Sequence, residues 1–461
     1  MSLLFPSRGR RSGLRGRLVH QRVTRPAAFV ASLLALVVVV GTLLLMLPFA
    51  RSGPGAAPPV TAFFTSTSAV SVTGLSTVDT ATYWSGFGEV VILVLVQIGG
   101  LGITTGAALL SLLVSRRLGL RARLYTSTET GTTTLGDVRR VVVTITGLTF
   151  AVELVCAVIL TLRWWISYDE PFGHAAWLGV FHSVTAFNNA GFSLFSDSLT
   201  AFADDPVILL TVSAAIILGG IGVPVLFDLF DPRRGWRKFS LHTRVTIWTS
   251  GALLVYGLVT LLASEWDNPS TFGPMSVATK TLNAWFASVS PRTAGFNTFD
   301  YADANPESLL VTNTLMFIGG GSVSTAGGIR VTTIAVLLLV LWAQARGDRE
   351  VDVGSRRLSQ SIVQQALTIT VVFAMLSVLG TLLLIPLANT DLDTALFEVI
   401  SALGTVGLSA GLTGTLGEPA QILVAALMFI GRVGPTTLAV ALALRQRDRR
   451  YQLPEGRVLV G

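Results

Sequence analysis

Four times this chain passes through the same series. A long apolar stretch leads to a polar loop, then a segment of about ten residues with helical character, a glycine-centred turn and a second apolar stretch. The turns read Val72-Thr73-Gly74-Leu75, Asn189-Ala190-Gly191-Phe192, Thr293-Ala294-Gly295-Phe296 and Thr405-Val406-Gly407-Leu408. A repeat of this kind constrains the fold more than any local propensity, because the units bury their faces only against one another. Glycine admits backbone conformations that a Cβ resists. Four such turns on one axis would present a ring of carbonyl oxygens, which is how a pore replaces a cation's hydration shell.

The solvent of this fold follows from composition. The chain of 461 residues is 51% hydrophobic and only 13% charged, with a mean hydropathy of +0.66. A water-soluble domain carries roughly 25% charged residues. Eight apolar runs are long enough for a hydrocarbon core, which takes about 20 residues. They are Pro26 to Leu47, Val90 to Val114, Val141 to Leu162, Val207 to Phe227, Val245 to Ala263, Leu309 to Trp342, Ile362 to Leu387 and Ile422 to Leu444. The predicted fold is an all-α membrane protein with eight transmembrane helices, arranged as four span–pore helix–span repeats around a pseudo-fourfold pore. The predicted divisions are a basic tail over 1–25, repeats over 26–118, 119–232, 233–347 and 348–446, and a second tail over 447–461.

The segments before the turns are Val60 to Ala69, Trp177 to Phe187, Val277 to Val289 and Asp393 to Leu403. Each is too short to span and reads as a re-entrant helix. Non-helical backbone at membrane depth survives only inside protein or beside a water-filled cavity. Charge gives the orientation. Segments 1–26, 116–140, 233–244, 346–357 and 445–457 hold 27 of the 33 Lys and Arg. The alternate loops hold Arg51, Arg163, Lys280 and Arg292, with 16 of the 26 acidic residues. By the positive-inside bias both termini are cytoplasmic, and the turns belong to the outer half. The Arg-rich N-terminal stretch reads as a basic tail and not as a cleavable signal peptide. The basic surfaces face lipid or a protein partner, and no nucleic acid is expected, since no basic stripe is interleaved with exposed aromatics.

Carbonyl oxygens suit a hard monovalent cation, and helix C-termini aimed at the membrane centre add a favourable field. The candidate ion-site residues are therefore Val72, Thr73, Gly74, Asn189, Ala190, Gly191, Thr293, Ala294, Gly295, Thr405, Val406 and Gly407, acting mainly through backbone carbonyls. Glu153 lies deep in a span and reads as a packed polar contact. Glu398, on the fourth short helix, reads as an anchor behind the filter. A proton-coupled carrier needs more intramembrane carboxylates than these. Cys156 is alone and the four histidines lack metal-ligand spacing, so neither a disulfide nor a zinc site is expected.

With these residues in view, the chain resembles the Trk/Ktr/HKT superfamily of potassium uptake proteins. The strings that carry the resemblance are 67–75 (TSAVSVTGL), 187–192 (FNNAGF), 292–298 (RTAGFNT) and 404–409 (GTVGLS). It extends from about Pro26 to the C-terminus and is greatest with the membrane subunit of bacterial Ktr systems. The resemblance implies a bacterial plasma-membrane protein and a homodimer with one pore per subunit. It also implies a separate cytosolic ring of nucleotide-binding regulatory subunits. K+ is the transported ion it implies, with Na+ as a stimulating ion.

Two further features match that family. The stretch Gly319-Gly320-Gly321-Ser322-Val323-Ser324-Thr325-Ala326-Gly327-Gly328 interrupts the sixth apolar run. Its glycines cannot hold a regular helix at ~1 kcal/mol each relative to Ala. A nucleotide phosphate loop is excluded because the Gly-Lys-Ser/Thr ending is absent. A simple kink and an intramembrane loop both remain readings of the residues. In the family the stretch blocks the pore below the filter, so the implied gate residues are Gly319, Gly320, Gly321, Ser322, Thr325, Gly327 and Gly328. Arg432 lies deep in the last span, where a charge is functional by default, and in the family it faces the pore beside the loop. The inner segments Arg121 to Arg140 and Trp236 to Arg244 either dock a regulatory ring or lie on anionic lipid. A membrane enzyme is disfavoured, since no outer loop carries a nucleophile elbow or a metal cluster. A coupled organic-solute carrier accounts for broken helices but not for four filter-like turns.

Overall fold

The computed structural model describes residues 26–117, 135–230, 239–348, 350–353 and 356–444. The two tails lie outside the described residues, as do 118–134 and 231–238, which take in most of Arg121 to Arg140 and the first three residues of Trp236 to Arg244. The protein is predominantly helical. In chain order the main helices are α1 (Pro26–Leu45), α2 (Pro59–Ser71), α3 (Gly86–Arg117), α4 (Leu135–Ser167), α5 (Phe172–Asn188), α6 (Pro206–Ile221) and α7 (Val223–Phe230). They continue as α8 (Leu241–Glu265), α9 (Val277–Val289), α10 (Pro306–Phe317), α11 (Val331–Ala345), α12 (Gln360–Ala388), α13 (Leu392–Gly404) and α14 (Glu418–Leu444).

The helices are punctuated by local chemistry. Pro59, Pro206 and Pro306 occupy first turns, where their missing N–H costs nothing. Asp205 caps α6 by accepting from the Val207 and Ile208 amides, and Ser240 and Ser276 cap α8 and α9 in the same way. Asp205 also receives Arg163 Nε at 2.7 Å and the Tyr168 hydroxyl at 3.0 Å. Burial pushes its carboxyl up, but the guanidinium and the helix amides outweigh burial and hold it below the usual range.

Each short helix packs between long helices of its own unit and the second long helix of the unit before it. Thus α5 touches α3, α9 touches α6, α13 touches α10, and α2 closes the circle against α14. The aliphatic and aromatic cores sit between these elements, as where Trp164, Phe181 and Phe296 lie buried around α5. The outer surface is equally apolar: Leu154, Ile166, Met375 and Leu382 are exposed, and Trp248 is 70% exposed. Such continuous apolar cover fits lipid as the solvent, and the protein is a multi-pass membrane protein.

Among the described residues, Val142–Ser167, Leu241–Glu265 and Gln360–Ala388 are continuous helices long and apolar enough to cross a membrane. The fourth apolar run departs from the sequence expectation of one span over Val207 to Phe227. It breaks at Gly222, and α6 and α7 meet at 107°. Gly222 has φ of +104°, and Pro224 in the next turn has no N–H to continue the ladder. The second short helix is also longer than read, at 17 residues. In the third unit α10 stops at Phe317 and α11 starts at Val331, with no helix between them.

Candidate ion pathway

The candidate pathway begins at the ends of the four short helices. In α2, α5 and α13 the residue after the last turn is left-handed: Val72 at φ 56°, Asn189 at 59° and Thr405 at 49°. The next amide reaches back five residues in each case, from Thr73 to Ser68 O, Ala190 to Thr185 O and Val406 to Ser401 O, all at 2.8 Å. This is the Schellman termination, which normally takes glycine. A β-branched residue there costs of order 1–3 kcal/mol and persists only where surrounding structure dictates it. The third turn differs: α9 caps in the right-handed region, and Thr293, further on, takes the positive φ of 85°.

Next comes the glycine of each turn, and the four glycines form a closed ring. A Cβ on Gly74 would stand 2.3 Å from Ala190 O, on Gly191 2.9 Å from Ala294 O, on Gly295 2.5 Å from Val406 O, and on Gly407 2.1 Å from Thr73 O. Each glycine abuts the carbonyl that precedes the glycine of the next unit, and the fourth returns to the first. Both the space and the positive φ values, 95°, 65°, 82° and 99°, require glycine.

Buried polar groups hold the turns from behind. Ser68 Oγ accepts from the Gly74 amide at 3.0 Å, and Ser401 Oγ accepts from the Gly407 amide at 3.1 Å. Asn189 and Thr293 side chains meet at 3.2 Å, joining the second and third turns. Nine residues before two of the glycines stand His182 and Glu398, both fully buried. His182 Nε2 lies 3.1 Å from Ser193 Oγ, and Glu398 accepts from Ser409 Oγ at 2.8 Å and from Thr413 Oγ1. Each thereby ties its short helix to the segment leaving the turn. Glu153 accepts from Gln97 Nε2 at 3.2 Å and Asn188 Nδ2 at 3.0 Å, so it anchors the last residue of α5.

On one face of the ring lies a cavity of about 630 Å³ with all four glycines in its wall. Among the described residues, the charged ones lining it are Asp79, Asp197 and Asp300, with no Lys or Arg. A concave surface of one charge sign concentrates ions of the other.

On the face of the ring opposite the cavity, the stretch Gly319–Gly328 forms a loop. It is stitched to the break between α6 and α7 by three backbone bonds: Gly321 N to Gly220 O at 2.8 Å, Thr325 N to Gly219 O at 3.2 Å, and Val223 N to Val323 O at 3.0 Å. It lies directly against the turns, since a Cβ on Gly327 would stand 1.8 Å from Thr405 Oγ1, and Thr325 Oγ1 donates to Phe187 O at 3.2 Å. Gly319, Gly320 and Gly321 pack on backbone or side chains, and Gly328 has a positive φ of 66°. Ser322 Oγ meets Thr332 Oγ1 at 2.8 Å. Arg432 on α14 is buried and donates through Nη1 to Thr325 O, while its Nε and Nη2 have no partner among the described residues. Arg330, which the sequence reading did not single out, donates to the same loop at Gly321 O, Ser324 Oγ and Ala326 O.

Residues 30–451 match the TrkH family, described as cation transport proteins. The chain belongs to that family. It is thus a member of a transporter family and not of an enzyme family. This TrkH-family protein is 37% identical over 427 residues to the Ktr system potassium uptake protein B of Bacillus subtilis, covering 92% of this chain and 94% of that protein. It is 38% identical to the Ktr system potassium uptake protein B of Vibrio alginolyticus, covering 87% and 88%. It is 33% identical to the potassium/sodium uptake protein NtpJ of Enterococcus hirae, covering 96% and 98%. The crystal structure of the potassium transporter TrkH from Vibrio parahaemolyticus shares the fold, with a TM-score of 0.72 at 22% identity over 94% of this chain and 86% of that one.

Proposed function

We propose that this TrkH-family protein takes up potassium across a bacterial plasma membrane as the pore subunit of a Ktr-type system. The observation that carries the reading is the closed ring in which Gly74, Gly191, Gly295 and Gly407 each abut the next unit's carbonyl. The carbonyls of Thr73, Ala190, Ala294 and Val406 then serve as the filter, with those of the residues around each turn completing the ion site. Selectivity follows from the number and field of those oxygens. Asp79, Asp197 and Asp300 gather cations outside it.

The loop 319–328 acts as the gate. It lies on the inner side of the ring, and Arg432 adds a positive charge that raises the barrier to cations while holding the loop at Thr325. Sodium stimulation, homodimers with one pore per subunit, and a cytosolic nucleotide-binding ring belong to the same reading, as do cytoplasmic termini. Cysteine labelling at Ser12 and in loop 386–420 should report opposite sides of the membrane; labelling of both from the same side would overturn the topology.

Purified protein in proteoliposomes tests the function. Rubidium uptake should exceed sodium uptake, and expression should restore growth at low potassium in cells lacking their own uptake systems. Equal uptake of the two ions without rescue of growth would refute the assignment.

A further inference from the structure

Two guanidinium groups meet the inner loop, and they act on it differently. Arg432 reaches it from α14 and holds one carbonyl, that of Thr325. Arg330 stands at the foot of α11 as its N-terminal cap residue and reaches back over the loop that precedes it. Its Nη1 lies within hydrogen-bond reach of Gly321 O at 3.2 Å, Ser324 Oγ at 3.3 Å and Ala326 O. Ser324 completes the fastening by donating to Gly321 O at 2.7 Å and accepting from the Ala326 amide at 3.3 Å. Arg330 therefore closes segment 321–326 on itself, whereas Arg432 ties the closed segment to another helix. The carbonyls they take, Thr325 and Ala326, are adjacent in the chain.

Neither arginine has a carboxylate partner among the described residues. A guanidinium without a counter-ion leans on the dipoles it binds. The loop carbonyls supply them, so loop shape and the siting of both charges depend on each other. A glycine-rich segment has little conformational preference of its own, and a cross-brace within it is what selects one conformation.

We propose that Arg330 is a positioning residue of the gate, whose guanidinium braces Gly321, Ser324 and Ala326 into the closed loop that Arg432 then holds from α14. This rests on the reading of the loop as the gate. Loss of the brace should populate open loop conformations, and charge-assisted hydrogen bonds of this kind are worth about a tenfold shift or more in such an equilibrium.

Rubidium uptake in proteoliposomes tests it with the full chain, its Arg330→Ala and Arg330→Lys variants, and the same substitutions in a chain lacking residues 322–326. We expect uptake to rise ~10-fold in Arg330→Ala and stay near the parent rate in Arg330→Lys, which keeps three donors. We expect no further rise from Arg330→Ala once the loop is deleted. If the deletion accelerates uptake and Arg330→Ala does not, the brace is wrong while the gate stands. An equal rise in the loop-deleted chain would also overturn the brace, since Arg330 would then act as a bare charge. If the deletion itself changes nothing, the gate reading falls and the proposal with it. Should Arg330→Ala not elute as folded protein, Arg330→Met carries the same expectations.

Discussion

The carbonyl oxygen of Thr73 lies so close to Gly407 that a Cβ on that glycine would stand 2.1 Å from it. This contact joins the first unit of the chain to the last, more than three hundred residues apart, and completes the ring. It matches the packing of α2 on α14, the one pairing of a short helix with a long helix that runs from the start of the chain to its end. The ring and the bundle thus close at the same seam. A disturbance of any turn is transmitted to its neighbour through backbone and not through a side chain that could swing aside.

Gly74→Ser should therefore alter selectivity. Its Cβ would meet Ala190 O at 2.3 Å and Gly191 Cα at 2.8 Å, both backbone, at a φ of +95°. The carbonyls have to move, and with them the field that an ion feels. The rubidium-to-sodium uptake ratio in proteoliposomes should fall toward one, with the variant still eluting as folded protein. A ratio equal to that of the parent would remove Gly74 from the filter.

Arg432→Ala should raise cation flux. The substitution removes a buried positive charge beneath the ring and frees the Thr325 carbonyl. A charge-assisted hydrogen bond contributes about 1.5–3 kcal/mol, so a rise of roughly tenfold in uptake is expected. An unchanged rate in folded protein would leave Arg432 with a purely structural part.

Glu398→Ala should destabilise the fourth unit and shift selectivity together. Ser409 and Thr413 both donate to this fully buried carboxylate. Its removal orphans two hydroxyl donors, at about 1–3 kcal/mol, and loosens the segment that leaves Gly407. The thermal midpoint in detergent should drop, and the rubidium-to-sodium ratio should fall with it. Glu398→Gln should retain more of both.

A further expectation concerns pH. The Asp205 carboxyl is held below its ordinary range in the folded protein by Arg163 and the amides at the start of α6, against the effect of burial. A depressed folded value means that its contribution to stability is complete above the unfolded carboxylate range and is lost as pH falls through the folded value. Acidification into that range should lower the thermal midpoint of the parent protein more than that of Asp205→Asn. Equal acid sensitivity of the two would show that the Arg163 contact contributes nothing.

Much of the fold was legible in the sequence. Apolar length pointed to a predominantly helical membrane protein, and the four glycine turns were visible because nothing but glycine suits both their φ and their crowding. The gap between Phe317 and Val331 was visible for a similar reason, since a stretch so rich in glycine has no helix to lose. Other features depended on contacts that no local pattern contains. The break at Gly222 lies within an unbroken apolar run, and its partner is Val323, about a hundred residues later. A signal was present, since Gly222 and Pro224 together form a helix stop. The pairing of His182 with Ser193, and of Glu398 with Ser409, spans the same eleven residues across a turn, and the common spacing emerges only when the units are aligned on their glycines. Arg330 could have been found by counting: Arg330 and Arg432 are the two basic residues that fall in neither the inner nor the outer segments.

The position of bound ion tests the ring most directly. Thallium replaces potassium in transport and scatters strongly enough to be located in crystals or by electron microscopy. Thallium density is expected on the axis enclosed by the carbonyls of Thr73, Ala190, Ala294 and Val406, with its loss in Gly74→Ser. Thallium bound elsewhere in the molecule, with that axis empty, would contradict it.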